Sequence, residues 1–475
     1  MSWSNAAIMG ALYWLYWIIA IFIIIRIMLR NRDTVKTLAW IMVFIFIPFF
    51  GLLLYFFFGR SSRKKRLAGK RLLAQLKQRS TLEVNSDAKG LIQPEYQSLA
   101  TYFENSSTAS LLSVDEAEVL CDTSVFAERL FEMVSSAEHH IHLQFYIFEN
   151  DEFGCRLRDV LVAKAKQGVE VRLIYDSVGC WRVGKEFFES MRCAGVYVES
   201  FLKVTFPLLS NRFNYRNHRK IIVVDGKVGM IGGCNIADRY IKGIKGMEWR
   251  DTMLLLRGMA VNGLQQSFLI DWYFVSRTMV SGKKYFPVAD GCRNSFAQVV
   301  TSNPVGDVRA IVGGYVKMLA LAKGYIYLQT PYFMPDELFL QSLKNASMSG
   351  VDVRLMIPEK SDSTIADYAA MSYLGSVLDA GVKVYLYSGG MLHSKTVVCD
   401  DYLSSVGSTN LDFRSFFYNF EVSAFVYDKA VAQRLKESFL DDQKKCRLLT
   451  VNEYRQRSFF KRCAESFIKL FSPLL

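Results

Sequence analysis

Histidine, lysine, aspartate, glycine and asparagine recur in this chain in one order and one spacing. The first set lies in "NHRKIIVVDGKVGMIGGCN", Asn217 to Asn235, and the second in "HSKTVVCDDYLSSVGSTN", His393 to Asn410. A constant offset of 175 aligns His218 with His393, Lys220 with Lys395, Asp225 with Asp400, Gly232 with Gly407 and Asn235 with Asn410. Residues i and i+2 of a strand share a face, so each histidine projects with its lysine. Two imidazoles, two ammonium groups and two amides that converge can hold a tetrahedral anion. One imidazole can attack phosphorus while the other protonates the departing alkoxide and then takes a proton from an incoming alcohol. Lysine is a poor metal ligand and no His/Asp/Glu cluster accompanies the motifs, so the charge neutralisation is organic and no metal or cofactor is expected.

The neighbouring residues position these groups. "VVDGKV" carries the Asp-Gly signature of a tight hairpin and "CDDY" takes its place in the second copy, which makes Asp225 and Asp400 turn-stabilising carboxylates. Gly232 and Gly407 end the return strands, where a missing side chain lets a ligand near the backbone, and Asn235 and Asn410 add amide donors to a bound phosphate. A nucleophilic histidine needs its other nitrogen held by an acceptor. Asp251 and Glu421 follow the two histidines by 33 and 28 residues, and each is expected to orient the histidine of its own copy. His139, His140 and His142 have no counterparts in the second copy and read as partly exposed strand-edge residues.

Further echoes extend the repeat. "IHLQFY" at Ile141 returns as "IYLQTPYF" at Ile326, "GVEVRLI" at Gly168 as "GVDVRLM" at Gly350, and "AGVYV" at Ala194 as "AGVKV" at Ala380. Short β-branched runs alternate with helical patterns. The fold class is therefore α/β, with two related units over residues 97–300 and 301–475 whose half-sites face one another.

Residues 1–60 differ in kind. Uncharged apolar runs predict two membrane-crossing helices, about 5–28 and 37–59, each near the ~20 residues a bilayer requires. The first lacks the basic n-region and small-residue cleavage site of a signal peptide. Residues 61–96 form a basic juxtamembrane segment and linker. "RSSRKKRLAGKRLLAQLKQR" holds nine Lys or Arg and no acid, which predicts a cytoplasmic location for the rest of the chain. Nine cysteines without a CxxC pair fit a reducing compartment, and a net charge of +13 suits anionic headgroups, though charge alone suits nucleic acid as well. In "RQRSFFKRCAESFIKLFSPLL", Phe459, Phe460, Cys463, Phe467, Ile468 and Phe471 recur at helical spacing between basic residues, the pattern of an interfacial helix or of a helix packed on the second unit.

The doubled HxKxxxxD pattern, with its trailing glycine and asparagine, resembles the phospholipase D superfamily. "RNHRKIIVVDG", "PFFGLLLYFFFGR", "GMEWRDT", "QTPYFMPDE" and the terminal "SPLL" are similar to stretches of bacterial cardiolipin synthases, so the resemblance spans nearly the whole chain. It implies phosphatidyl transfer between two phosphatidylglycerol molecules, giving cardiolipin and glycerol through a phosphatidyl-histidine, at a metal-independent site between the units. It also implies that His218 is the nucleophile and His393 the acid/base, that Lys220, Lys395, Asn235 and Asn410 bind phosphate, and that Asp225 and Asp400 are structural. Ser408 in place of a second glycine and Asp401 in place of Gly226 are the departures. The expected partners are phosphatidylglycerol and anionic membrane lipids, with no nucleic acid. A hydrolase releasing phosphatidic acid and a silent membrane scaffold are the alternatives, and two intact half-sites argue against the second.

Overall fold

The computed structural model describes residues 5–30, 34–55, 88–203, 214–244, 246–288, 295–304, 306 and 308–472. An N-terminal helical unit and an α/β body are separate compact units.

In the helical unit, the first apolar run forms the helix Asn5–Arg30. Its segment Met9–Leu29 is, among the described residues, the one helix long and apolar enough to cross a membrane. The second run was expected as a continuous helix over 37–59. It forms Thr34–Phe46 and Phe50–Leu54 instead. The break falls at Pro48, which lacks the N–H that a continuing helix needs, and Phe49 beside it adopts φ 63°. The Tyr16 hydroxyl donates to the Phe44 carbonyl and ties the two helices together. Residues 56–59, the basic stretch 60–79 and most of the linker lie outside the described residues.

The α/β body contains two related halves. In the first, a seven-stranded sheet runs in the order Glu116–Leu120, Met253–Arg257, Val228–Gly232, Ile221–Val224, His140–Phe145, Glu170–Asp176, Tyr197–Phe201. In the second, a nine-stranded sheet repeats this pattern around Thr396–Cys399 and Leu403–Gly407. The motif strands Ile221–Val224 and Thr396–Cys399 are buried throughout and rich in β-branched residues, as central strands covered on both faces require.

The boundary between the halves differs from the sequence expectation at both ends. Phe296–Ser302 is a strand of the second sheet, paired with Glu421–Tyr427. The helix Gln97–Ser107 also belongs to the second half. Its Leu99, Ala100 and Phe103 join that half's core, and the Phe103 ring lies 4.3 Å from Phe425. Gln298 pins the segment by donating to the carbonyls of Ala100 and Ala109. Leu112–Ser113 then adds an edge strand beside Phe296–Ala297, and the chain enters the first half only at Glu116.

Two histidines of "HHIHLQ" also differ from expectation, while His139 is half-buried just ahead of the strand, as its sequence suggests. His140–Phe145 is an interior strand between Ile221–Val224 and Glu170–Asp176, and His140 and His142 are fully buried. Gln265 bonds both rings, and His142 stacks on Phe268. Burial brings His140 down to about 4. His139, His140 and Asp225 have potential donor atoms within 4.8 Å of one another. Those atoms are engaged: the two Nδ1 atoms face each other at 2.7 Å and the carboxylate is filled by backbone N–H groups.

Candidate active site

Each motif runs from its histidine into a hairpin that is anchored by its aspartate. Asp225 and Gly226 both have positive φ, 54° and 66°, as do Asp400 and Asp401 at 48° and 54°. That is the geometry of a tight turn whose twist matches its strands. The Asp225 carboxylate accepts from the N–H groups of Glu138, His139 and His140 at 2.8–2.9 Å. Asp400 accepts from Lys323, Gly324 and Tyr325 at 2.7–2.9 Å. Each aspartate thus ties its hairpin to the start of the adjacent strand, one strand length from its histidine.

The histidine ends of the motifs meet across the halves. The segment before His393, Met391–Leu392, pairs in parallel with Trp249–Arg250 of the first half, and the His393 N–H donates to the Arg250 carbonyl at 2.7 Å. In the same way Asn217 bridges to Phe420, and the His218 N–H donates to the Phe420 carbonyl at 2.9 Å. Each pairing delivers the next residue of the opposite half, a carboxylate, to the histidine. His218 Nδ1 lies 3.1 Å from Glu421 Oε1 and 3.0 Å from the Ser408 carbonyl, while His393 Nδ1 lies 2.5 Å from Asp251 Oδ2. The partners are therefore exchanged relative to the sequence expectation, in which Asp251 served His218 and Glu421 served His393. The reason is the bridge between the halves: in each half the carboxylate's own strand end is turned toward the other half.

The glycines require a second correction. Gly232 and Gly407 were expected to admit phosphate, but a Cβ at Gly232 would stand 2.3 Å from the Thr252 carbonyl and 2.6 Å from Met253 Sδ. At Gly407 it would meet Ser423 Oγ at 2.4 Å. The neighbouring strand fills the space at both. Gly233 makes room for the site itself, since its Cβ would fall 2.0 Å from Asp251 Oδ1. Its counterpart Ser408 has a side chain, and that hydroxyl donates to Glu421 Oε2 at 2.5 Å.

The remaining polar groups are buried with the histidines. Lys220 and Lys395 are almost fully buried and donate to the carbonyls of His218 and His393. Asn235 accepts from the Ile147 N–H and donates to the Tyr240 hydroxyl at 2.6 Å, which leaves one amide hydrogen uncommitted. Asn410 is buried, and its amide oxygen has no hydrogen-bond partner. Aromatic rings wall the histidines: Tyr146 lies edge-on to His218 at 5.2 Å, and Trp249 lies 5.0 Å from His393.

Burial sets the charges. It lowers both histidines, His393 to about 4, and it lowers Lys220 to about 7 and Lys395 to about 8. Burial alone would raise the carboxyls. His218, Lys220 and the Ser408 hydroxyl outweigh it at Glu421, as His393, Lys395 and the Thr252 N–H do at Asp251, so both stay below the ordinary range. Neutral imidazoles beside ionised carboxylates put the proton on Nδ1 and leave Nε2 unprotonated.

Two arginines missed in the sequence, Arg219 buried and Arg250 partly so, hold the carboxylates from behind. Arg219 donates to the Glu421 carbonyl at 3.1 Å and pairs with Asp271, to which Gln144 also donates. Arg250 donates to the Asp251 carbonyl at 2.5 Å and pairs with Asp442, to which Gln329 donates. The glutamines are the repeated Q of "IHLQ" and "IYLQ", so the repeat carried a signal for them. The arginines occupy non-equivalent positions and left none.

Paired α/β halves with a histidine and a lysine contributed by each define a phospholipase D-like protein. A family model described as cardiolipin synthase, phospholipase D-like domain, matches residues 130–253 and 315–443, and one described as phospholipase D-nuclease N-terminal matches residues 15–60. The major cardiolipin synthase ClsA of Bacillus subtilis (strain 168) is 39% identical over 471 residues, covering 95% of this chain and 96% of its own. A cardiolipin synthase of Listeria monocytogenes serotype 4a is 38% identical over 488 residues, covering 98% and 100%. The chain belongs to the cardiolipin synthase family. In fold it is similar to the phosphatidylserine synthase of Haemophilus influenzae Rd KW20, with a TM-score of 0.61 at 13% identity over 79% of this chain and 98% of that one.

Proposed function

We propose that the protein is a membrane-bound phosphatidyltransferase that joins two phosphatidylglycerol molecules into cardiolipin and releases glycerol. The observation that carries this reading is the exchange of carboxylates, which ties both Nδ1 atoms and leaves two Nε2 atoms free for complementary roles. His218 Nε2 attacks phosphorus, the bond from phosphorus to the glycerol oxygen breaks, and His393, protonated at Nε2, gives that oxygen its proton. The products are a phosphatidyl-histidine and free glycerol. The terminal hydroxyl of a second phosphatidylglycerol then loses its proton to His393 Nε2 and attacks phosphorus, and the P–N bond breaks to restore neutral His218. An anionic phosphodiester favours the protonated forms of Lys220, Lys395 and His393, so substrate binding itself charges the acid. The lysines, with Asn235 and Asn410, hold the phosphoryl oxygens. Asp225 and Asp400 act on the hairpins, and Glu421 and Asp251 on ring orientation.

The second apolar run crosses the membrane beside the first, and the α/β body faces the cytoplasm. The nine basic residues in the stretch that begins at Arg60 support this orientation. A cysteine placed at Arg63 that is labelled from outside intact cells would reverse it.

The test is product analysis in phosphatidylglycerol vesicles containing EDTA, with His218→Ala and His393→Ala alongside. The expected result is cardiolipin and glycerol in equal amounts, lost in both variants. Phosphatidic acid as the main product would make the protein a hydrolase, and no turnover would refute the transferase reading.

A further inference from the structure

The helix Phe459–Lys469 is placed inside out for a soluble surface helix. Phe459, Phe460, Cys463, Phe467, Leu470 and Phe471 fall within an arc of about 120° at 100° per residue. That arc is exposed: Phe459 by 71%, Phe460 by 83%, Phe467 by 62%, Leu470 by 73% and Phe471 by 43%. The face turned to the protein holds Glu465, buried and paired with Arg457, and Ile468, which packs on the second half's core. Ile468 thus departs from the apolar set in which its spacing had grouped it.

The helix is fixed in this orientation. The Ser458 hydroxyl caps its first turn by accepting from the Lys461 N–H. In the short helix Val451–Arg455 that precedes it, the Tyr454 hydroxyl donates to the Met371 carbonyl, and at its own C-terminal end Lys469 lies over the Tyr373 ring, so the segment is held on the helix Thr364–Asp379. Soluble proteins rarely expose so large a contiguous apolar face.

We propose that this face docks on an anionic lipid bilayer and presents the second half of the α/β body to it; the inference builds on the phosphatidyltransferase reading. Charge selects this occupant. From Tyr454 to the end of the chain there are five basic residues and one acid, and that acid is Glu465, which is buried. Lys461, Arg462 and Lys469 are exposed around the apolar arc. Aromatic side chains entering the acyl boundary with cations at headgroup level is the arrangement of an interfacial helix. A second copy of the chain fits less well, because two-fold pairing of this face would bring the cations of both copies together with no exposed acid within the segment itself to meet them.

The test uses the full chain with Phe460→Ser, Phe467→Ser and Leu470→Ser combined. These side chains are exposed, so the melting temperature is expected to stay unchanged. Turnover of phosphatidylglycerol in bilayer vesicles is expected to fall at least tenfold, while turnover of a monomerically dispersed short-chain phosphatidylglycerol stays within twofold. Equal rates for parent and variant in vesicles would overturn the proposal, as would equal losses on both substrates. Independently, Phe467→Trp in vesicles of phosphatidylglycerol and phosphatidylcholine is expected to add emission that brominated acyl chains quench. Added emission that these lipids leave untouched, with a concentration-dependent rise in mass, would assign the face to self-association and overturn the proposal. If the parent made no cardiolipin from either substrate, the functional reading would fail while the quenching result still decided where the helix lies.

Discussion

A histidine acts through Nε2 only when Nδ1 is tied, and here each tie crosses between the halves. Glu421 serves His218 and Asp251 serves His393, so the two carboxylates have separable roles. Glu421→Gln and Asp251→Asn are each expected to lower kcat on phosphatidylglycerol by about 10²–10⁴. A phosphodiester with a nitrophenolate leaving group needs no acid, and with it the variants should part: Asp251→Asn releases nitrophenolate and accumulates phosphatidyl-enzyme, whereas Glu421→Gln does neither. The opposite pattern would assign the nucleophile to His393. The pH profile follows from the same burial. His218 lies below its ordinary 6.5, while Lys220 and Lys395 lie near 7 and 8. The ratio kcat/KM reports the free enzyme and should rise with pH as His218 sheds its proton, then fall as Lys220 and afterwards Lys395 lose theirs. A plateau reaching pH 10 would contradict this assignment of the lysines.

At the scale of elements, the hairpins set where the histidines stand. Each is tied by three N–H groups to one carboxylate, so Asp225→Ala should cost stability more than chemistry, roughly 2–5 kcal/mol for charged hydrogen bonds lost in a half-buried place. Burial would raise Asp225, but the three N–H groups hold it below 3.8. Its contribution is therefore present above pH 3.8 and lost as pH falls through the lower, folded value. Thermal melts should show the parent converging on Asp225→Ala as the pH drops through that range, and the folded fraction of the variant should keep most of its turnover. Much of this element was legible: the doubled Asp turn and the register of 175 follow from local spacing, whereas His218, Lys220, His393 and Lys395 stand just ahead of the strands on which a shared face was read. What lay beyond reach depends on neighbours that a strand cannot name. The exchange of Asp251 and Glu421 arises from bridges between distant segments, and the burial of His140 and His142 arises because their strand is interior. Gly232 and Gly407 read as ligand clearances when the space belonged to the adjoining strand.

At the scale of the molecule, the chain does not divide at the point where its repeat does. Residues around 92–111 precede the first half in sequence yet complete the core of the second, so the second half folds around a segment that must return to it across the whole first half. This makes Phe103 a probe of how the halves are built. Its ring is fully buried against Phe425, and Phe103→Ala leaves a cavity with an expected cost of about 3–5 kcal/mol. Under the division read from the repeat, that loss would loosen the sheet containing Ile221–Val224. Under the observed packing it loosens Phe296–Ser302 and Glu421–Tyr427, the strands against which the helix Gln97–Ser107 rests. Amide hydrogen exchange on the full chain distinguishes the two: faster exchange in 296–302 and 421–427 with 221–232 unchanged is expected, and the reverse would restore the boundary at 97. Glu421 begins the second of these strands and holds His218 of the other half, so the same variant should also reduce turnover. A substitution in a helix outside the site would then reach His218 through the strand that supplies its carboxylate.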